Sequence, residues 1–183
     1  MSATLPNAIT LRTMNIKALF YYLFQRNKNR QADTTPAPGI DFNRYLGRWY
    51  ELARFNNPFE EGLEEVFTEY TPRADGNINI CNYGIDSKHH QHSAKAVGTP
   101  SAPGQMDVGF LPLLRFMTTP YNILYVDDGY SKAVVSNDSG SCLWFLSRTA
   151  TVGSTAMEQL KTIALARGFN LSELHYTQHR YRD

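Results

Sequence analysis

The stretch Asp41–Phe55, DFNRYLGRWYELARF, places a glycine two residues before a tryptophan in a segment dense in aromatic residues. Trp49 is one of two tryptophans in the chain, the other being Trp144. A buried tryptophan needs a large apolar pocket and a partner for its indole N–H. The stretch therefore predicts a strand that begins near Gly47, and it raises the question of what packs against Trp49.

The residues that follow this stretch alternate in character with the period of a β-strand. Eight segments between positions 48 and 148 are rich in aromatic and β-branched residues. Turn-forming residues separate them, as in the hairpin loop Arg73–Gly76, which ends in glycine. Eight short strands at hairpin spacing predict an all-β sandwich or barrel.

One helix is expected after the strands. Thr155 and Glu158 have the spacing of a capping box, in which both side chains satisfy free backbone N–H groups. An apolar stripe through Leu160 and Ala164 follows, and Gly168 is a natural stop. The stripe predicts that the helix packs against another element, and an extended segment then closes the chain.

Length and composition limit the domain count and the kind of partner. A chain of 183 residues with 42% hydrophobic residues is expected to form one domain with a sizeable core. Its net charge of +1 argues against a nucleic-acid-binding protein. The chain contains no phosphate loop, no G-x-S-x-G motif and no nucleic-acid stacking motif.

Residues 1–39 differ in character from the rest of the chain. Residues 1–32 carry five basic and no acidic side chains, whereas the remainder is mildly acidic. The apolar run Ile16–Phe24 is too short to span a bilayer as a helix, which needs about 20 residues. It fits either a helix at a membrane surface or a disordered leader. Because Ala32–Gly39 has the composition of a linker, the folded domain is expected at 40–183.

Three motifs resemble the three sequence regions of the lipocalin family. Gly47-Arg48-Trp49 resembles the family's G-x-W motif at the start of the first strand. The segment Tyr125–Tyr130, YVDDGY, is similar to the second region, and FLSR ends at Arg148 like the third. Order and spacing also match, and the chain most resembles the bacterial lipocalins from about Asp41 to Gln178.

The resemblance implies an all-β fold, an eight-stranded antiparallel up-and-down barrel with one C-terminal α-helix packed outside. It also implies that Trp49 lies at the closed end, with the Arg148 guanidinium stacked on its indole. Four residues are then expected to close the barrel and not to bind a ligand: Gly47, Trp49, Asp127 and Arg148.

Strand alternation and the family pattern together predict which side chains line the interior. The expected ligand-binding residues are Glu51, Ala53, Val66, Thr68, Tyr70, Ile80, Asn82, Met106, Val108, Phe110, Tyr121, Ile123, Tyr125, Val135, Trp144 and Leu146, with Ile78 and Ala133 also facing inward. The fourth strand has no clear register. A one-residue slip would exchange every assignment on a strand.

This lining is mostly apolar and aromatic with a few polar groups, which suits an amphiphile such as a fatty acid or a lysophospholipid. The first hypothesis is therefore a module that carries or stores one lipid-like molecule at the cell envelope, without enzymatic activity, metal or cofactor. Apolar side chains also fill a small barrel that binds nothing. In that alternative the protein acts by binding a partner, and its barrel is filled by its own side chains and holds no ligand.

Two loops are expected at the open end. Asn56–Glu65 would cover the mouth, and the loop 111–119 is unusually apolar. An exposed apolar loop marks a membrane contact or a homodimer interface, unless it folds back onto the barrel. The residues concerned are Leu111, Leu113, Leu114, Phe116 and Met117.

The alternative function is a lipid-acting enzyme of the same fold that uses Cys142 as nucleophile. The register predicts that Cys142 faces inward and Cys81 outward, but no histidine is placed beside Cys142 by the pattern. His90 and His92 share a strand face without a third metal ligand. Bacterial lipocalins commonly carry a lipid-accepting cysteine near the N-terminus, and none precedes Cys81, so a cytoplasmic location is the alternative to the envelope.

Overall fold

The structure is a computed structural model. It describes residue 29 and residues 31–57, 60–110 and 118–180, with the backbone alone at position 110. The predictions for the apolar run Ile16–Phe24 lie outside the described residues. So do those for the loop residues Leu111, Leu113, Leu114, Phe116 and Met117.

The strands are all antiparallel and close into a barrel, as predicted. Strand β1 pairs with β8 on one side and with β2 on the other, so the eight strands form a ring. A ninth strand pairs with the C-terminal half of β1, at Ala53, Arg54 and Phe55. The sequence predicts only an extended segment for this ninth strand. The elements are α1 (Phe42–Tyr45), β1 (Gly47–Phe55), β2 (Leu63–Pro72), β3 (Ile78–Asp86), β4 (Gln91–Ala102), β5 (Gln105–Phe110), β6 (Thr118–Val126), β7 (Lys132–Ser136), β8 (Leu143–Ser147), α2 (Ser154–Ala166), a 3-10 helix (Leu171–Glu173) and β9 (Leu174–Tyr176).

β-bulges on β1 and β6 reverse the alternation of inward and outward side chains. Facing β8, the pairing of β1 shifts by one residue between Glu51 and Ala53. Facing β7, the pairing of β6 shifts between Ile123 and Tyr125. Each bulge inserts one unpaired residue and moves the following side chain to the other face. The prediction that Ala53 and Tyr125 face the interior is therefore wrong, because both pack on the outside of the wall.

Buried apolar side chains form two clusters, one on each face of the barrel wall. The interior cluster consists of Tyr45, Trp49, Tyr70, Ile78, Ile80, Ala96, Met106, Val108, Ile123, Tyr130, Ala133, Val135 and Leu146. The outer cluster consists of Leu52, Ala53, Phe55, Leu124, Val134, Leu143, Phe145, Leu160, Ala164 and Phe169. The wall is thus covered on both faces along β1, β6, β7 and β8.

Helix α2 covers the outer cluster, as its apolar stripe predicts. Leu160 and Ala164 are its two fully buried residues. The predicted capping box is wrong: the N-cap is Gly153, so Thr155 already lies inside the first turn. Glu158 pairs with Lys161 at 2.8 Å instead of reaching back to the helix start. Gly168 follows the helix with a φ of +84°, in the left-handed conformation that ends it.

The barrel has a closed end and a mouth, and the chain direction assigns each loop to one of them. Helix α1 and the start of β1 lie at the closed end, together with the turns β2–β3, β4–β5 and β6–β7. The loop between β1 and β2 lies at the mouth, with those between β3 and β4 and between β7 and β8. Within the described part of the chain, no helix has both the length and the apolar character needed to cross a bilayer.

Candidate functional site

The closed end is built around Trp49, and Arg148 is the partner that the sequence predicts for it. The guanidinium carbon of Arg148 lies 4.0 Å from the indole ring centroid. Its Nη1 donates to the Arg48 carbonyl at 2.8 Å, and its Nη2 donates to the Arg44 carbonyl at 2.9 Å. The indole N–H of Trp49 donates to the Tyr45 carbonyl at 2.7 Å. One side chain from the last barrel strand therefore holds α1 and the first strand together.

Gly47 of the G-x-W motif is required by this arrangement for two reasons. Its φ is +94°, a conformation that side chains with a Cβ rarely adopt. A Cβ on Gly47 would also lie 3.2 Å from Nη1 of Arg148, tighter than ordinary contact. The glycine and the stacked arginine thus belong to one structural unit.

Asp127 holds the turn between β6 and β7. Its carboxylate accepts hydrogen bonds from the backbone N–H groups of Ser131 and Lys132 at 2.6 and 2.7 Å. It also accepts from the Ser131 hydroxyl at 2.6 Å and from Lys132 Nζ at 3.1 Å. Burial raises the pKa of Asp127, but these hydrogen bonds outweigh it and bring the pKa to about 2. Asp127 is therefore ionised at neutral pH, and its carboxylate stabilises the turn that follows it.

Aromatic rings fill the interior at the closed end of the barrel. Tyr45 stacks on Trp49 with ring centroids 4.8 Å apart. The Tyr121 hydroxyl lies 2.8 Å from the hydroxyl of Tyr45 and 2.8 Å from that of Tyr70. Burial raises the pKa of all three tyrosines above its ordinary value, so the hydroxyls stay protonated. These rings therefore pack the closed end of the barrel.

Strand β4, whose register the sequence leaves open, contributes small residues to the interior. Ala96 pairs with Ile80, and Gly98 pairs with Ile78. A Cβ on Gly98 would lie 2.6 Å from the sulfur of Met106, which therefore fills the space that the glycine leaves. The missing side chain on β4 is what allows Met106 to be fully buried.

Most of the other side chains predicted to line the barrel lie in or against the interior cluster. The Thr68 hydroxyl donates to the amide oxygen of Asn82 at 2.7 Å. Val66 is buried beside Gly84 of the next strand. Phe110 ends β5, and its side chain lies outside the described part. The remaining interior residues from the prediction are Ile78, Ile80, Met106, Val108, Ile123, Ala133, Val135 and Leu146, with Tyr121 and Trp144 packed against them.

A buried glutamate–arginine pair lies nearer the mouth, and the sequence predicts only one of its members. Arg54 Nη1 lies 2.5 Å from a carboxylate oxygen of Glu51, and both side chains are almost fully buried. The Thr177 hydroxyl donates to the same oxygen and accepts from Arg54 Nη1 at 3.2 Å. Arg54 Nη2 donates to the carbonyls of Glu60 and Leu63 at 2.6 and 3.1 Å. Arg54 of β1 pairs with Trp144 of β8. Its side chain faces the interior, because the β1 bulge turns it away from the outer face.

Glu60 brings a second carboxylate into the mouth. It follows β1 in the loop at the open end, and its Oε2 accepts from the indole N–H of Trp144 at 3.0 Å and from the Asn57 amide. Burial raises the pKa of Glu51, and the negative charge of Glu60 raises it further, to about 8 despite Arg54. We call the group Glu51, Arg54, Asn57, Glu60, Trp144 and Thr177 the mouth recess.

The cysteines are both free thiols. Cys142 is buried, and burial raises the pKa of its thiol to about 12, with a smaller contribution from the charge of Glu60. A thiol with that pKa holds very little thiolate at neutral pH, and the thiolate is the nucleophilic form. The surroundings of Cys142 thus do not activate it.

The histidine segment at the β3–β4 turn is organised around one carboxylate. Asp86 Oδ2 lies 3.2 Å from Nδ1 of His90 and 3.0 Å from Nε2 of His92. Both rings are exposed. In the residues that the structure describes, no group of three His, Cys, Asp or Glu side chains is placed to hold a metal ion.

The interior cluster includes Tyr45, Ala96 and Tyr130, which were not predicted from the sequence. Three further features of the interior also escaped prediction. Arg54 and Val126 face inward because they follow bulges, and a bulge leaves no reliable mark in the sequence. The third is the role of the loop residue Glu60. The signal that was available for Arg54 is a charged side chain in the otherwise apolar second half of β1.

The comparisons with known proteins agree with this architecture. Residues 40–179 match the family model of the lipocalin-like domain. The chain is 34% identical over 155 residues to the outer membrane lipoprotein Blc of Escherichia coli K12, which covers 79% of this chain and 85% of Blc. It is also 34% identical over 149 residues to temperature-induced lipocalin-1 of Arabidopsis thaliana, covering 76% of this chain and 79% of that protein.

Solved structures with low sequence identity share the fold. The cockroach allergen Per a 4 superimposes with a TM-score of 0.64 at 17% identity, covering 81% of this chain and 98% of the allergen. Lobster apocrustacyanin A1 superimposes with a TM-score of 0.63 at 18% identity, covering 76% and 79%. The closed barrel, the G-x-W unit stacked on Arg148 and the match over residues 40–179 lead to one conclusion: this chain belongs to the lipocalin family.

Proposed function

We propose that the protein binds one small hydrophobic or amphiphilic molecule, such as a fatty acid or a lysophospholipid, in the mouth half of its barrel. The observation that carries this proposal is the two-part character of the interior. Apolar side chains form the interior cluster, and a polar recess lies nearer the mouth. An amphiphile has the same two parts, a tail that prefers apolar surroundings and a head that needs polar partners.

Family membership supports binding of a small hydrophobic ligand, and the relatives suggest where it happens. Blc of Escherichia coli and its relative in Vibrio cholerae are named outer membrane lipoproteins. We therefore place this protein at the cell envelope, where it carries or stores its ligand. Membrane contact and dimerisation through residues 1–39 or the loop 111–119 stay predictions.

Binding without catalysis is the better reading of the interior. The alternative function needs Cys142 as a thiolate, and burial disfavours that form strongly. Stoichiometric binding without turnover, and no loss of function after iodoacetamide treatment, is the expected behaviour. Turnover of a lipid that stops when Cys142 is alkylated would contradict it.

The test of the proposed function is direct identification of a bound lipid. We expect native mass spectrometry of the purified protein to show one co-purifying lipid per chain, and a fluorescent fatty acid to bind saturably at one site. Val108→Phe adds bulk to the interior cluster and should abolish binding, whereas Lys95→Phe on the exposed face of β4 should not. Circular dichroism checks that both variants are folded. Absence of any saturable lipid binding would refute the proposal.

A further inference from the structure

The mouth recess contains a negatively charged side chain that does not come from the barrel wall. Glu60 belongs to the loop between β1 and β2, and its carboxylate reaches Trp144 on β8. The Trp144 N–H and the Asn57 amide both donate to one of its oxygens. Two converging donors of this kind form an oxygen-binding pocket, and a loop side chain fills it.

The recess also contains a buried cation whose hydrogen-bonding capacity is incompletely used. Arg54 is fully buried and donates to Glu51, Thr177 and two backbone carbonyls. Its Nε–H finds no acceptor among the residues that the structure describes. A buried donor without an acceptor is costly, and a buried guanidinium favours a nearby anion. The surroundings of Arg54 therefore suit an additional oxygen acceptor.

The recess contains two carboxyl groups beside one guanidinium. Arg54 Nη1 lies 2.5 Å from the carboxyl group of Glu51, which is its direct partner. The carboxylate of Glu60 holds the donors of Trp144 and Asn57 instead. A neutral group in place of Glu60 would leave one carboxylate fewer in the recess, whereas an anionic group would replace it.

We propose that the mouth recess is a recognition site for the anionic head group of the bound amphiphile, and that Glu60 occupies it until the head group replaces it. The inference rests on the proposed function, because a head group enters the recess only with a tail in the barrel. Carboxylates and phosphate monoesters share the required chemistry, a negative charge on oxygen acceptors. Trp144, Asn57 and Arg54 supply the donors.

The variant Glu60→Gln separates the charge of Glu60 from its shape. Glutamine has nearly the same size, and its amide oxygen can accept from the same two donors, so the loop position is retained. The recess then holds one carboxylate fewer beside Arg54 and repels an anionic head group less. We expect the affinity for oleate or oleyl phosphate to rise about tenfold. The affinity for oleyl alcohol, which has the same tail, should change less than about twofold.

Isothermal titration calorimetry at pH 7.5 with these three ligands measures the effect, on folded protein stripped of lipid. Glu61→Gln is the matched control, because it removes the same charge from the exposed neighbouring position. Glu61→Gln should leave the affinity for all three ligands unchanged. Trp144→Phe removes one donor and should weaken oleate or oleyl phosphate more than oleyl alcohol.

Each outcome of this experiment bears on the inference. A gain for oleate alone identifies a carboxylate head group, a gain for oleyl phosphate alone identifies a phosphate, and a gain for both supports the shared chemistry. Equal gains for all three ligands would show that Glu60 is only a steric plug, and no gain would show that its charge is irrelevant. Either result overturns the inference while binding itself stands. If neither the parent chain nor the Glu60→Gln variant binds any of the three ligands, the proposed function fails as well.

Discussion

At the scale of single residues, the closed end depends on positions that allow no other side chain. Arg148 stacks on Trp49 and donates to carbonyls of α1 and β1 at the same time. Arginine suits this role because its planar guanidinium stacks through its face and donates through its edge. Lysine offers a single charged point and is not expected to replace it.

Gly47→Ala should destabilise the protein by about 1–3 kcal/mol. The cause is the positive φ together with the close approach of Arg148. Urea unfolding followed by tryptophan fluorescence measures the loss. Gly109→Ala is the control, because Gly109 has no positive φ and a Cβ there would lie 3.5 Å from Cγ2 of Thr118, which is ordinary contact. If both variants lose the same stability, the closed end does not require this glycine.

At the scale of elements, α2 is a cover for the outer face of the barrel wall. Bulges on β1 and β6 extend the outer cluster, because they turn Ala53 and Tyr125 to the outer face. The helix contributes Leu160 and Ala164 to that cluster. Its stability therefore comes from packing more than from local helix propensity.

Leu160→Ala should reduce the free energy of unfolding by about 2–5 kcal/mol, because it leaves a cavity in the outer cluster. Leu165→Ala on the same helix should change it by less than about 0.5 kcal/mol, since Leu165 is 57% exposed. Thermal or urea unfolding of the two variants, compared with the parent chain, measures the difference. Similar losses in both would mean that α2 is not docked as described.

At the scale of the whole molecule, the mouth recess joins parts of the chain that are far apart in sequence. Glu51 and Arg54 come from β1, Glu60 from the following loop, Trp144 from β8 and Thr177 from the segment after β9. His179 of that last segment also hydrogen-bonds the Glu51 carbonyl. Forming the recess thus requires the barrel to be closed and the C-terminal segment to be in place.

Burial of Glu51 predicts a pH dependence of stability. Its folded pKa, about 8, lies above the ordinary 4.5, so the folded chain keeps a proton that the unfolded chain releases. Stability should therefore fall as pH rises from about 4.5 to 8, by at most about 1.4 kcal/mol per pH unit. The groups facing Glu51 are Arg54, Glu60 and the Thr177 hydroxyl.

Glu51→Gln is expected to flatten this dependence, because glutamine keeps an acceptor and cannot ionise. Urea unfolding at pH 5, 6.5 and 8 gives the difference between the variant and the parent chain. Other titrating groups are common to both proteins and cancel in that difference. An unchanged slope would show that Glu51 is ionised throughout the range and that Arg54 alone sets its charge state.

Much of the fold was accessible from local sequence patterns. Alternation with period two predicts the strands, and turn residues mark most of their ends. The same alternation fails for Ala53 and Tyr125, because one inserted residue changes the face of every side chain after it. The capping box at Thr155 fails for a similar reason, since the chain enters the helix two residues earlier than the motif requires.

The sequence by itself determined an all-β fold through strand periodicity, and the three motifs that resemble the lipocalin regions implied the barrel, its closed end and the stacking of Arg148 on Trp49. Only the tertiary structure decided the mouth recess. Arg54 faces inward because of a bulge, and Glu60 meets Trp144 across 84 positions of sequence. Such contacts arise from the closure of the barrel as a whole, and no local pattern encodes which distant side chains will meet inside it.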